Sequence, residues 1–300
     1  MTGKRLIINA DDFGFTFGSN RGILEVLAAG AVRSISVISN FPAVEEVPLV
    51  AERFPDVSIG IHLNLSVGRP VSDPAEVSSL VDESGHFWYR RFPQKALLGK
   101  LRTGHIRKEL RAQIERLKSF GVKISHWDSH QGRHLYLPFF KVALEVAAEH
   151  NIKKMRNHRR WLYSDEANAT RKALRFYLTH PRRFGSFVYC RGLMRYAKAR
   201  GMQMADYLLC PGAYDYGRGK ADTWRKIFKF LPAGTSEIAC HPGYPDETLR
   251  AYATMIDNRS KEVEALRDKS LLQTPVKGNL LISMPGQLLK FFKLVGLRFS

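Results

Sequence analysis

Two adjacent carboxylates, Asp11 and Asp12, close the run Leu6-Ile7-Ile8-Asn9-Ala10 and precede Phe13-Gly14. Carboxylates this close repel each other, and burial strips their solvation, unless a cation or a shared proton offsets both. A metal ion is the simplest offset. Two later apolar runs end in His62 and His130. One carboxylate with two imidazoles, leaving positions open to water, suits zinc or another divalent transition metal. Asp12, His62 and His130 are therefore the expected ligands. Asp11 is left as a general base, titrating with Asp12 as a coupled pair.

Alternation sharpens this reading. In Ile59-Gly60-Ile61-His62-Leu63-Asn64-Leu65 the aliphatic residues share one face, and Gly60, His62 and Asn64 share the other. A lone histidine so placed more often serves packing than chemistry. His126, Asp128 and His130 also share one parity, and three titratable groups on one face are hard to explain as core. Asp128 is suited to hold an imidazole from behind or to bind a substrate hydroxyl, with His126 and Asn64 as further candidates. His134 follows four residues after His130, but Gly132 between them indicates a loop.

Cys240 beside His241 is not a nucleophile–base pair, because neighbours on a strand point to opposite faces. His241, in Cys240-His241-Pro242-Gly243, reads as a general acid, against a bland alternative of turn capping. Arg156 could grip Asp11 with its guanidinium fork or simply be solvated.

These residues need a scaffold that brings distant strand ends together. Strand-like and helix-like segments alternate. Strands are expected over residues 4–10, 34–38, 57–65, 122–129, 153–157, 205–209, 237–240 and 279–283. Helices fit residues 20–29, 43–53, 106–120, 139–150 and a long polar span, 246–266. Residues 66–103 read as an excursion rich in turns. This order predicts an α/β fold, an irregular (β/α) barrel of mostly parallel strands with outer helices, formed by residues 1–300 as one domain. In such barrels active residues sit at the carboxyl ends of the strands. Asp11, Asp12, His62, His130, Arg156 and His241 all fall at such ends.

The chain of 300 residues carries 47 Lys/Arg against 28 Asp/Glu, a net charge of +19. Within residues 151–200 there are 14 Lys/Arg and 2 Asp/Glu. This insertion-like basic stretch, about 153–200, is a solvated face or a face for an anionic substrate or membrane surface. No zinc finger, basic zipper or aromatic RNA-binding motif accompanies it, so nucleic acid is not expected as a partner. Residues 285–298 suggest a C-terminal helix, short, greasy and basic, docked on the core or lying at an interface. Three widely spaced cysteines point to a reducing compartment. Too few apolar residues precede the Asp pair for a signal peptide. A cytoplasmic protein is expected, with room for peripheral contact on the inner face of the membrane and for a homodimer.

Taken in order, Asn9-Ala10-Asp11-Asp12-Phe13-Gly14, Gly60-Ile61-His62 with Gly68-Arg69-Pro70, His126-Trp127-Asp128-Ser129-His130, Arg156 and Cys240-His241-Pro242 resemble the YdjC-like carbohydrate deacetylases, of the chitooligosaccharide and hopanoid-associated types. The resemblance spans about residues 5–245. It implies an irregular (β/α) barrel, a divalent metal on Asp12, His62 and His130, and hydrolysis of a sugar N-acetyl group with Asp11 as base and His241 as acid. Many members carry a histidine-rich run where this chain has Gln131-Gly132-Arg133. That departure and the basic stretch favour a lipid-linked or phosphate-bearing sugar, of the lipid A or polyprenyl-phosphate kind, over free chitooligosaccharides. Zinc suits the donors best, and magnesium or another divalent ion would also serve. The rival readings are a metal-dependent phosphodiesterase or nuclease and a non-catalytic glycolipid-binding protein.

Overall fold

A computed structural model describes residues 3–159, 175–176, 178–209, 221–229, 231–253, 256–272 and 280–282. The expected C-terminal helix at 285–298 and part of the basic stretch lie outside the described residues.

The strands are β1 (Lys4–Phe13), β2 (Ser34–Val37), β3 (Ser58–Leu63), β4 (Trp127–Ser129), β5 (Tyr207–Leu209), β6 (Gly234–Cys240) and β7 (Leu280–Ile282). They form one sheet in the order β4-β3-β2-β1-β6-β5, with β7 beside the start of β1, and every pairing is parallel. The two edges meet through single bridges: Trp127 pairs Met155, and Lys154 pairs Gln203, just before β5. The sheet is thus curled into a barrel-like fold, as the alternation predicted.

Helices cover the outside: α1 (Phe17–Ala28), α2 (Val47–Arg53), α3 (Phe92–Leu97), α4 (Thr103–Ser119), α5 (Leu137–Glu149), α6 (Pro181–Ala199), α7 (Ala221–Lys229), α8 (Glu247–Tyr252) and α9 (Asn258–Arg267). The register explains the layering. Ala10, Ile35 and Ile59 are aligned across three strands, as are Val37, Ile61 and Trp127. All six are buried in the main apolar core. The opposite parity carries Asn9, Asp11, Ser36, His62, Asp128 and Glu237, all buried and polar. Branched apolar side chains usually fill such barrels. Here the interior is a hydrogen-bonded polar network, and the apolar core lies between sheet and helices.

Three expectations need correction. Strand β4 is only Trp127–Ser129, although Ser125 still donates to the Ile59 carbonyl. Residues 153–157 form no regular strand. Their backbone bonds go to Trp127 on one side and Gln203 on the other, in single bridges. The long helix expected over 246–266 is two helices. Asp246 caps the first by accepting from the Leu249 amide, and Ala253 is extended, which ends it. The break frees α9 to approach the barrel mouth.

Candidate active site

Strand β1 delivers both carboxylates to the mouth. Regular alternation would send Asp11 inward and Asp12 outward. Asp12 instead has φ of 72°, a left-handed conformation that non-glycine residues seldom adopt, and the β1–β2 register shifts between Ala10 and Phe13. That irregularity turns both side chains into one site. The turn is locked by Asn20, whose Oδ1 accepts from the Gly14 amide at 2.6 Å.

The carboxylates then part company. Asp11 is gripped by Arg156, with Nη1 to Oδ2 and Nη2 to Oδ1 both 2.6 Å. Asn9 Nδ2 adds a bond to Oδ1 at 2.7 Å. Asp12 Oδ1 lies 2.9 Å from His130 Nδ1 and 3.5 Å from His62 Nε2. Its Oδ2 accepts from Arg259 Nη2 at 2.6 Å. Burial alone would push the Asp12 carboxyl up, but His130 and Arg259 outweigh it and hold it well below the ordinary range.

His62 is held from behind, with Nδ1 2.6 Å from Asp128 Oδ1. Asp128 Oδ2 meets Arg156 Nη1 at 2.6 Å, and Arg156 Nε donates to Glu237 at 2.6 Å. His241 Nε2 sits 3.7 Å from Asp11 Oδ2. Its backbone amide donates to Glu262 Oε2 at 2.5 Å, which fixes the turn after β6. A Cβ on Gly22 would come within 2.5 Å of Gly243 Cα, so only glycine at position 22 lets α1 lie against that turn.

Other candidates sit elsewhere. His126 lies one layer deeper, 3.4 Å from Ser36 Oγ, with its ring over Gly60, where any Cβ would meet it at 2.3 Å. Asn64 is taken up by its own loop. Its Oδ1 accepts from the Ser66 and Val67 amides, and its Nδ2 donates to Asn40 and the Val67 carbonyl. Its side chain thus holds the loop after β3. His134 is buried with Nδ1 2.5 Å from Ser129 Oγ, because Gln131 and Gly132 kink the turn after His130. Sequence reasoning missed Glu237, Arg259 and Glu262. Glu237 shares strand parity with His241, which was a usable signal. Arg259 and Glu262 had none, because an assumed continuous helix kept α9 from the site.

A model of the YdjC-like protein family matches residues 5–275. The chain belongs to this family. A carbohydrate deacetylase of Thermoanaerobacter pseudethanolicus is 32% identical over 280 residues, covering 93% of this chain and 97% of that one. One of Geobacillus stearothermophilus is 32% identical over 266 residues, covering 89% and 90%. A crystal structure from Enterococcus faecalis V583, described as that of a cellobiose-phosphate cleavage protein, superposes with a TM-score of 0.73 at 25% identity, covering 94% of this chain and 97% of that one.

Among the described residues of this YdjC-like protein, two donor groups are compact enough for a cation: Asp12 with His62 and His130, and Asp11 with His62 and Asp128. In the second, Arg156 already stands against both carboxylates. The first fits a divalent ion. Its His130 Nε2 is buried with no hydrogen-bond partner among the described residues. Among the described residues, the arginines paired with Asp11, Asp12 and Asp128 are Arg156 and Arg259, and the imidazoles of His62 and His130 stand at Asp12, where a dication would add balancing charge. Without an ion, His62 takes up a proton. Burial opposes that, but the charge and hydrogen bond of Asp128 push its pKa up to about 9.

This has a measurable consequence. Burial pushes His126 down to about 4 and His134 down to about 3, despite the opposing pull of Asp128. Depressed histidines cost stability as pH falls below about 6.5, at up to about 1.4 kcal/mol per pH unit each. A raised histidine gives stability that is complete below about 6.5 and lost as pH climbs towards the folded value. Metal-free protein should therefore be most stable near pH 6.5, with losses from 6.5 down to about 3 and from 6.5 up to about 9. Added metal should flatten the alkaline limb only, because a ligating His62 has no proton to lose. Urea unfolding across pH, with chelator and with metal, checks this. An alkaline limb unchanged by metal would contradict the ligand assignment.

Proposed function

We propose that this protein hydrolyses the N-acetyl group of an N-acetylhexosamine carried on a lipid or a phosphate, with a divalent ion, zinc by preference, at Asp12, His62 and His130. One observation carries the reading. Adjacent carboxylates share a site yet have different partners, Asp11 an arginine fork and Asp12 two imidazoles. That division supplies a base beside a cation site. The names of the curated relatives support the reaction class, and the +19 charge supports an anionic carrier.

When bound, the ion supplies Lewis-acid charge to the acetamide carbonyl and eases deprotonation of water. The protein does the rest. Arg156 and Asn9 orient Asp11, so its Oδ2 faces the space before His241. There Asp11 takes a proton from the attacking water. The new C–O bond forms as the carbonyl carbon becomes tetrahedral. His241 then gives a proton to the nitrogen as the C–N bond breaks, releasing acetate and an amino sugar. Arg259 and Asp128 do not touch substrate in this scheme. They hold Asp12 and His62 at fixed angles.

The test is incubation with a panel of N-acetylhexosamines, free and lipid-phosphate-linked, following acetate release and loss of one acetyl group by mass. Asp11→Asn and His241→Ala should each lower kcat by about 10²–10⁴-fold while Asp11→Asn still binds metal. Phosphate release without acetate would replace this reading with a phosphodiesterase.

A further inference from the structure

Helix α6 is apolar on two sides. Its buried face carries Cys190, Leu193, Met194 and Ala197. The opposite face, by helical spacing, carries Phe184, Val188, Arg191 and Arg195. Phe184 is 51% exposed, Val188 52%, and Leu178, just before the helix, 74%. Large apolar groups at solvent, rimmed by cations, mark an interaction surface when they cluster. Arg175, Arg182 and Arg183 lie near them in the sequence and are exposed. No Asp or Glu occurs between Glu166 and Asp206.

Contacts from the middle of α6 place it beside the carboxyl ends of the strands. Helix α6 ends at Ala199, and Gln203 just beyond it pairs Lys154 on the way into β5, so the start of α6 points towards the carboxyl ends of the strands. Tyr189 Oη donates to the Leu135 carbonyl at 2.8 Å, and the His158 amide points to Met194 Sδ at 3.3 Å. Leu135 closes the turn that begins at His130. Leu137, two residues on, is a further exposed leucine.

We infer that the first half of α6, with Leu178, is a docking surface for an anionic phospholipid bilayer, inserting Phe184 and Val188 among the acyl chains while the arginines meet headgroup phosphates. This deepens, and for its use rests on, the reading of a lipid-linked substrate: a docked protein would hold its mouth against the membrane that carries the sugar. Charge complementarity decides the occupant. A second copy would set the same arginines against each other, because a two-fold interface repeats one patch. An anionic leaflet neutralises them and accepts the apolar stripe.

Sedimentation of the full chain with vesicles tests this. Phosphatidylcholine vesicles, with and without phosphatidylglycerol, are compared for the wild type, Phe184→Ser/Val188→Ser and Arg182→Glu/Arg183→Glu. The wild type should partition at least about tenfold more strongly onto the anionic vesicles, and each variant should lose about tenfold. Both variants should unfold at the wild-type temperature and deacetylate a soluble N-acetyl sugar at the wild-type rate. Equal wild-type binding to both vesicles, or wild-type binding by either variant, overturns the surface. Concentration-dependent self-association that Phe184→Ser/Val188→Ser abolishes, without vesicle binding, overturns it in favour of a dimer. Vesicle binding with no turnover of any lipid-linked sugar sinks the substrate reading and keeps the surface. Turnover of such a sugar in detergent without vesicle binding does the reverse.

Discussion

Alanine at His62 is expected to leave the protein unable to retain metal after dialysis and to bring acetate release to background. Both ring nitrogens of His62 are engaged, Nδ1 with Asp128 and Nε2 towards Asp12. Truncation would remove one of three donors and leave Asp128 Oδ1 without its imidazole. Asp12→Ala and His130→Ala should behave alike, since three protein ligands are the minimum for a site with open positions. Asp128→Asn separates a ligand from its support. The amide keeps the shape but no longer fixes the imidazole, and metal affinity should fall about 10–100-fold with activity restored by excess metal. Metal analysis and acetate release on the same samples check the set. Full turnover by His62→Ala, or by chelated wild type, would remove the ion from the scheme.

Much of this centre could be read from strand parity. Alternation alone put His62 and Asp128 on the polar faces of their strands, and the structure brings them within 2.6 Å of each other. For Arg156 the sequence left a grip on Asp11 and a solvated side chain open, and the fork lies on Asp11. The same rule failed to explain Asp12, because alternation sends adjacent residues to opposite faces. What reconciles them is a φ of 72° at Asp12, a backbone feature with no glycine to announce it. Asn64 shows a second limit of parity. It has the parity of His62 but lies just past the end of β3, where the chain turns and an asparagine side chain serves the loop.

Long-range charge was the least legible. Arg259 is separated from Asp12 by most of the chain, and nothing in a polar helical run says which turn will face a buried acid. Its assignment needed the break after α8. Such a guanidinium on the far oxygen of Asp12 keeps Oδ1 directed at the two imidazoles. The positions of Asp11, Asp12, His62 and His130 were thus visible from local pattern, whereas the charges that hold them came from packing.

Arg156→Met should be the most destabilising single change in the interior. Arg156 is 6% exposed and touches Asp11, Asp128 and Glu237. Methionine keeps much of the length and removes the charge, leaving three buried carboxylates without it. Breaking a buried ion pair by deleting one partner costs about 3–5 kcal/mol, and the variant should unfold at correspondingly lower urea. The pH response distinguishes this cause from lost packing. Burial would raise the Asp128 pKa, but Arg156 and His62 override that and hold it far below the ordinary range in the wild type. A depressed carboxylate gives stability above its unfolded pKa that is lost as pH falls. Without Arg156 the buried carboxyls favour the proton, so their folded pKa values should rise and the variant should gain stability relative to wild type from pH 7 down to about 4. Arg156→Lys should fall between, because one ammonium cannot span three acids as a planar fork does. A methionine variant within about 1 kcal/mol of wild type at pH 7, or with an unchanged pH slope, would show that the network does not depend on this guanidinium.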